Sequence, residues 1–166
     1  MSVLWLTGLS GSGKSTIAEN LVKIIDAQIV DGDVIRSTIS SDLKPGAVDR
    51  KENQRRVIRY IKNNLSKSKF IIATFVSPNK SEREWLMTEF RKDAIPFYEI
   101  YVKASTETSE KRDPKSLYAL YRTGQNISLA GLTECYDEPE NPRIVCNTES
   151  DTIEDCVRQI TKLITR

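Results

Sequence analysis

The sequence predicts an α/β fold, a five-stranded parallel β-sheet with helices on both faces and a lid loop in the C-terminal half. Short apolar, β-rich runs alternate with segments of helical periodicity along the chain. This alternation is typical of parallel strands joined by crossover helices. The length of 166 residues suits one domain with its own core, and we expect it to span residues 1–166.

A glycine-rich loop follows the first predicted strand, residues 3–6, and precedes the first helical run. It has the pattern Gly8-x-x-x-x-Gly13-Lys14-Ser15, the P-loop pattern in the strand–loop–helix context that supports it. We therefore predict the P-loop NTPase fold and binding of a nucleoside triphosphate. Lys14 is expected to reach the β- and γ-phosphates and to act in catalysis, and the Ser15 hydroxyl to ligate Mg²⁺. The candidate ATP-binding residues of the loop are Gly8, Ser10, Gly11, Ser12, Gly13, Lys14, Ser15 and Thr16.

Four more short β-rich runs supply the remaining strands of the predicted sheet. They span residues 28–30, 70–74, 97–102 and 144–146. In a parallel sheet, ligands bind beyond the carboxyl ends of the strands, so the residues that follow each strand are the informative ones.

The helices are predicted from apolar residues that recur every three or four positions. The first helix follows the glycine-rich loop, and the last is expected to start at Asp151 with an acid three residues on at Glu154. The expected core positions, in chain order, are Ile17, Leu21, Ile24, Ile25, Val57, Ile58, Ile61, Leu65, Trp85, Leu86, Phe90, Ile153, Val157, Ile160 and Ile164. The polar segment 124–142 contains glycines and prolines, and we predict it to be the lid.

The amino-acid composition limits the possible binding partners and catalytic groups. The net charge of +2 gives no indication of a nucleic-acid or membrane surface, and no apolar run is long enough to span a bilayer. Three cysteines without metal-type spacing favour reduced thiols, and with them a cytoplasmic location. The chain has no histidine, so a general base must be a carboxylate or, less favourably, Lys, Tyr or Cys.

Asp31 and Asp33 directly follow the second predicted strand. This places them beside the P-loop, where Mg²⁺ and an acceptor hydroxyl must meet, and phosphoryl transfer needs a carboxylate to orient or deprotonate the nucleophile. The third strand ends in Thr74 and Phe75 without an acid, which raises the importance of the pair. We take both as candidate catalytic residues and Asp31 as a second metal ligand; the alternative is an ordinary acidic turn.

Two clusters of basic residues have a possible role in substrate binding. Arg36, Arg50, Asn53, Arg55 and Arg56 either form a solvated helix face or capture an anionic acceptor. Lys111, Arg112, Lys115 and Arg122 precede the lid and could stabilise charge that develops on the transferred phosphoryl group. Spacing alone does not separate these readings.

Several motifs resemble the adenylyl-sulfate (APS) kinase family along nearly the whole chain. They are GLSGSGKST from Gly8, DGD from Asp31, DRKEN from Asp49, FVSP from Phe75, RDPK from Arg112, YDEP from Tyr136 and ENP from Glu140. The resemblance implies transfer of the γ-phosphoryl group of ATP, with Mg²⁺, to the ribose 3′-hydroxyl of a nucleotide. It also implies that Asp33 is the base and that Arg112 and Thr148 lie near the ATP base. The acceptor would be held by Arg36, Arg50, Asn53, Phe75, Ser77 and Lys115, and a homodimer is expected from the family.

The chain departs from the family pattern in the loop that covers the acceptor base. Where the family has Phe-Thr-Gly-Ile-Asp, the sequence has Leu129-Ala130-Gly131-Leu132-Thr133. Losing a base–aromatic stack costs about 1–3 kcal/mol in single-stranded nucleic acid complexes. The interpretation leans to a different acceptor, cytidine diphosphoramidate in capsule biosynthesis, with adenylyl sulfate in sulfate assimilation as the alternative.

Other classes remain as competing hypotheses. The run Asn79-Lys80-Ser81-Glu82 resembles the guanine-reading motif of regulatory GTPases but ends in Glu and follows Pro78. A nucleic-acid-binding module is disfavoured by the near-neutral charge. A metabolite kinase acting on a sugar or an acid is the third class.

Overall fold

The computed structural model describes residues 2–44, 46–64 and 67–165. The strands are β1 (Ser2–Thr7), β2 (Ala27–Asp31), β3 (Phe70–Thr74), β4 (Phe97–Lys103) and β5 (Ile144–Asn147). The helices are α1 (Lys14–Leu21), α2 (Gly32–Ser37), α3 (Ala47–Asn64), α4 (Lys80–Arg91), α5 (Thr106–Arg112), α6 (Leu117–Arg122) and α7 (Ile153–Ile164). None of the helices in these ranges is both long and apolar enough to cross a membrane.

The five strands form one parallel sheet, as the alternating pattern predicts, and their order is β2-β3-β1-β4-β5. The central strand β1 pairs with β3 on one side and with β4 on the other, so Leu4 lies between Ile72 and Tyr98. Strands β2 and β3 thus lie on one side of β1, and β4 and β5 lie on the other, so the strand order has a topological switch point at β1. Such switch points open a crevice at the carboxyl ends of the strands, which is where the P-loop begins.

The core consists of two apolar layers, one on each face of the sheet. One layer packs α3 and α4 against the sheet around Trp5, Val57, Ile61, Leu86 and Phe90. The other packs α1 and α7 around a second set: Leu4, Leu6, Ile17, Leu21, Cys156 and Ile160. Helices thus cover both faces of the sheet. The edge left for a ligand is the one at the carboxyl ends of the strands.

The helix boundaries differ from the predicted ones at several points. Helix α1 ends at Leu21, so Ile24 lies beyond it and is 59% exposed rather than buried. The last helix is capped by Thr152, which forms a capping box with Asp155, and not by the predicted Asp151–Glu154 pair. The predicted core residue Leu65 lies outside the described residues.

The structure also contains a helix that periodicity does not reveal. The six residues of α2 are too few to show a helical pattern, and Asp31-Gly32-Asp33 reads as a turn. Asp31 caps this helix, because its Oδ1 accepts from the backbone amides of Asp33 at 2.9 Å and Val34 at 3.4 Å. The three thiols of Cys135, Cys146 and Cys156 are free, as expected.

Candidate active site

A cavity of about 1240 Å³ lies at the carboxyl ends of the strands. It brings together most of the predicted site residues. These are Ser10, Gly11, Gly13, Lys14, Ser15, Thr16, Asp31, Asp33, Arg36, Arg50, Asn53, Phe75, Ser77, Arg112, Lys115 and Leu129. Gly8 and Ser12 belong to the P-loop but do not line the cavity, and Thr148, also outside the lining, contacts the loop through Ser12.

The P-loop needs glycine at two positions where any side chain would be strained. Gly11 has φ +82°, and a Cβ there would stand 2.6 Å from the carbonyl oxygen of Ser109. Gly13 has φ +105° and precedes α1 directly. The loop can therefore turn tightly into the N-terminus of α1, where free backbone amides favour an anion.

Lys14 is buried in the P-loop. Its Nζ donates to the carbonyl oxygens of Gly8 at 2.9 Å and Leu9 at 2.7 Å. Burial is the largest influence on its pKa, the positive charge of Lys115 adds to it and Asp31 opposes it, so the pKa falls from 10.5 to about 7. A cation under this penalty gains from a phosphate partner, which fits the predicted role of Lys14.

Arg112 and Thr148 brace the loop from the side of β5. Thr148 Oγ1 donates to the Ser12 carbonyl oxygen at 2.8 Å. Arg112 donates to Thr148 Oγ1 at 2.9 Å and to the Thr148 carbonyl oxygen at 2.7 Å. From the other side, the Tyr118 hydroxyl donates to the Ser10 carbonyl oxygen at 3.0 Å. Arg112 and Thr148 thus lie beside the P-loop, and their nearness to the ATP base stays a prediction.

The two aspartates after β2 take different positions. Asp31 is held by its capping bonds and by the Thr74 hydroxyl, which donates to its Oδ2 at 2.7 Å. Asp33 is 66% exposed and forms an ion pair with Lys115 across the cavity. Asp31 is therefore fixed, whereas Asp33 stands free enough to meet an acceptor hydroxyl.

The donor set fits a hard divalent cation. The Ser15 hydroxyl and the Asp31 carboxylate line the same cavity, and oxygen ligands suit Mg²⁺, which keeps several of its waters. No group of three or more His, Cys, Asp or Glu residues that could hold a metal ion by itself occurs in the described part of the chain. A metal here would be shared with the triphosphate, as in other P-loop kinases.

The acceptor side carries cations and one unsatisfied amide. Arg36 and Arg50 line the cavity, and Arg50 donates to Glu134 Oε2 at 2.8 Å. Asn53 is 8% exposed, and its Oδ1 is buried without a hydrogen-bond partner among the described residues. Arg55 is exposed and Arg56 pairs with Asp42 and Glu52, so these two follow the solvated-face reading.

The loop after β3 is built on an aromatic stack. Phe75 stacks on Trp5 with ring centroids 4.7 Å apart and 12° between the planes, so one of its faces is already covered. Ser77 has φ +47°, unusual for a residue other than glycine. Its Oγ accepts from Trp5 Nε1 at 3.1 Å and its carbonyl from Arg83 at 2.7 Å, which together hold the strained backbone.

The predicted lid, residues 124–142, is a long loop that contains neither a helix nor a strand in the structure. It covers one side of the cavity with the stretch 126–130 and Glu134. Leu129 is only 4% exposed, and its backbone amide donates to Thr133 Oγ1 at 2.6 Å. The predicted lid thus contains a buried apolar side chain, although its composition is mostly polar.

Several residues around the cavity are not among the predicted site residues. Gln54, Glu82 and Glu134 line it, and Arg83, 3% exposed, supports it through Ser77. For Gln54 a signal existed, since it stands four residues after Arg50 and so on the same helix face. The others depend on contacts between distant segments, which spacing does not encode.

A model of the adenylylsulphate kinase family matches residues 1–147. The chain is 38% identical to the adenylyl-sulfate kinase of Bacillus licheniformis, an alignment that covers 98% of this chain and 84% of that protein. It is also 38% identical to the adenylyl-sulfate kinase named as probable in Aeropyrum pernix, covering 98% of this chain and 91% of that protein.

Among solved structures, the fold is similar to the Mycobacterium tuberculosis APS kinase CysC in complex with AMPPNP and APS. The TM-score is 0.89 at 29% identity, with 99% of this chain and 98% of that chain covered. The similarity thus extends over the sheet, the P-loop and the lid.

Proposed function

The chain belongs to the adenylylsulphate kinase family, and we propose that it transfers the γ-phosphoryl group of ATP to the ribose 3′-hydroxyl of adenylyl sulfate. It is an ATP-dependent phosphotransferase that acts on a hydroxyl of a nucleotide. The observation that carries the proposal is the cavity in which the P-loop lysine, the exposed Asp33 with its partner Lys115 and the acceptor-side arginines converge.

The residues of the chain divide the work as follows. Lys14, the P-loop amides and the N-terminus of α1 hold the triphosphate, while Arg112 and Thr148 keep the loop in place. Asp33 orients or deprotonates the 3′-hydroxyl, and Lys115 supplies positive charge beside it. Positioning and charge stabilisation of this kind account for most of the catalysis in phosphoryl transfer.

Kinases of this family use ATP with a divalent metal, and we propose Mg²⁺ held by Ser15 and, directly or through water, by Asp31. When bound, Mg²⁺ neutralises charge that builds on the β- and γ-phosphate oxygens. Asp31 is suited to this role because Thr74 and the α2 amides fix its carboxylate before the metal arrives.

The comparisons favour adenylyl sulfate over the cytidine acceptor to which the Leu129 change leaned. The relatives described above are named for adenylyl sulfate or APS, and none is named for a cytidine nucleotide or for capsule biosynthesis. Leu129 lines the cavity, so its aliphatic side chain can still cover a base. Sulfate assimilation is accordingly the pathway we propose.

The deciding experiment measures ADP release with Mg²⁺ and ATP at varied concentrations of adenylyl sulfate and of cytidine diphosphoramidate. We expect kcat/KM to be at least tenfold higher for adenylyl sulfate, which corresponds to about 1.4 kcal/mol in transition-state binding. A higher value for the cytidine acceptor would overturn the proposal and restore the interpretation drawn from Leu129.

Two further features complete the proposal. A homodimer follows from the family resemblance, and light scattering of the purified protein tests it. A cytoplasmic location is supported by the free thiols and the need for ATP.

A further inference from the structure

Part of the cavity lining is uncharged or acidic. Gln54 on α3 and Glu82 on α4 both line the cavity, together with Trp5, Val57 and Phe75. Gln54 precedes Val57 by three residues, and Glu82 precedes Leu86 by four, so each polar residue shares a helix face with a core residue. Each helix thus ends its core-facing stripe with a polar side chain at the ligand edge of the sheet.

Both side chains are largely removed from solvent at the cavity wall. Gln54 is 9% exposed. Glu82 Oε2 is buried with no hydrogen-bond partner in the described part of the chain. A buried polar atom without a partner is unfavourable, so a ligand that donates a hydrogen bond to Glu82 is favoured.

The charge of Glu82 excludes the anionic part of the acceptor. A carboxylate repels a phosphosulfate, whereas Arg36 and Arg50 in the same cavity attract it. Glu82 can instead accept a hydrogen bond from a donor on the base of the acceptor. Carboxylates accept from an exocyclic amine, and glutamine pairs with an amino group and its neighbouring ring nitrogen, as in protein–DNA recognition.

We propose that Gln54 and Glu82 read the base of the acceptor and select an amino group over an oxo group on its hydrogen-bonding edge. Glu82 accepts from the exocyclic amine, and Gln54 bonds the adjacent ring nitrogen. Both are specificity-determining residues of the acceptor site. This inference rests on the proposed function, because it concerns the acceptor half of the same cavity.

The test compares adenylyl sulfate with its 6-oxo counterpart, inosine 5′-phosphosulfate, in the same ADP-release assay. We expect the wild-type protein to favour the amino compound at least tenfold in kcat/KM. Glu82→Gln should reduce this ratio at least tenfold, since a carboxamide can also donate to the 6-oxo group. Gln54→Leu should raise the KM for both compounds, because glutamine can turn to serve either ring.

The matched control is Glu84→Gln, an exposed acid two residues along α4 that should keep the wild-type ratio. An unchanged ATP Kd shows that each variant is folded. A wild-type ratio near one, or a folded Glu82→Gln protein with the wild-type ratio, would overturn the inference. Failure to use adenylyl sulfate at all counts against the proposed function instead, and the same comparison between cytidine and uridine acceptors then decides whether Glu82 reads an amine.

Discussion

Arg50 and Glu134 form a salt bridge of 2.8 Å that joins the acceptor side of α3 to the lid. Each side chain is less than one third exposed, and Ser128 donates to the other carboxylate oxygen of Glu134 at 3.2 Å. An anionic acceptor bound by Arg50, as we propose, would compete with this carboxylate. Arg50 would then link the state of the predicted lid to the occupancy of the acceptor site.

The first prediction concerns that link. Glu134→Gln removes the charge that holds Arg50, so amide hydrogen exchange across residues 124–142 should accelerate in the free protein. In the wild-type protein, binding of ADP and acceptor together should slow exchange in the same segment, as expected of a lid that excludes water. Hydrogen-exchange mass spectrometry measures both effects.

The control for the lid is Glu107→Gln, which breaks an exposed pair with Lys111 on α5. It should leave exchange in residues 124–142 unchanged. Equal protection of that segment in the free and the doubly bound wild-type protein would contradict an ordering lid.

The second prediction tests the P-loop lysine. Lys14→Ala should abolish turnover while circular dichroism and the melting temperature show a folded protein, because no other cation is placed to replace it within the P-loop as described. The matched control is Lys23→Ala, an exposed lysine just after α1 whose loss should leave turnover intact. Near-normal turnover in folded Lys14→Ala would remove this lysine from the mechanism.

The third prediction follows from the pKa of Lys14, lowered to about 7 by its burial. Between about pH 7 and 10.5 the unfolded chain binds more protons at this lysine than the folded protein does, so its contribution to stability rises with pH. Lys14→Met removes the contribution. Denaturant titrations at pH 7 and pH 9 should show the unfolding free energy of the wild-type protein rising relative to Lys14→Met; a constant difference would contradict the lowered pKa.

The fourth prediction tests the proposed base. A positioned general base contributes about 10²–10⁴-fold, so Asp33→Asn should lower kcat by that factor and leave the KM for the acceptor nearly unchanged. Asp93→Asn is the control, since Asp93 follows α4, away from the cavity, and pairs with Lys62. A loss below tenfold would assign the role to Asp31 or to positioning alone.

The fifth prediction separates the two substrates. Arg112→Ala removes the brace between β5 and the P-loop, so the KM for ATP should rise about tenfold, as for the loss of a charge-assisted hydrogen bond. The KM for the acceptor should stay the same. Arg91→Ala, at the exposed end of α4, serves as the control, and an equal rise in both KM values would show that Arg112 supports the whole cavity.

The sequence predicts the five strands and the P-loop well, because apolar runs and glycine spacing are local properties. The strand at residues 70–74 has the predicted bounds. Helix ends are predicted less well: Ile24 fits the helical spacing after Leu21, yet the helix stops first. Periodicity reports which face is apolar and does not report which residue caps the end.

In the candidate site too, local sequence patterns predict some of the residues and not others. The sequence points to Lys14 through the glycine spacing of the P-loop, and to Asp33 because it lies two residues after β2 at the ligand edge. Glu82 escapes detection because it sits in the polar first turn of α4, where an acid is expected to favour the helix dipole. Its position in the cavity depends on how α3 and α4 pack, a relationship between segments far apart in the chain.

Arg83 has a consequence beyond its own burial. It donates to the carbonyl oxygens of Ser77 at 2.7 Å and Asp137 at 2.6 Å, and its Nε donates to Glu99 at 2.8 Å. The guanidinium of Arg83 thus connects the loop after β3 and Asp137 of the predicted lid to strand β4. Under the proposed function, a substitution of Arg83 would therefore disturb acceptor selection and exclusion of water together.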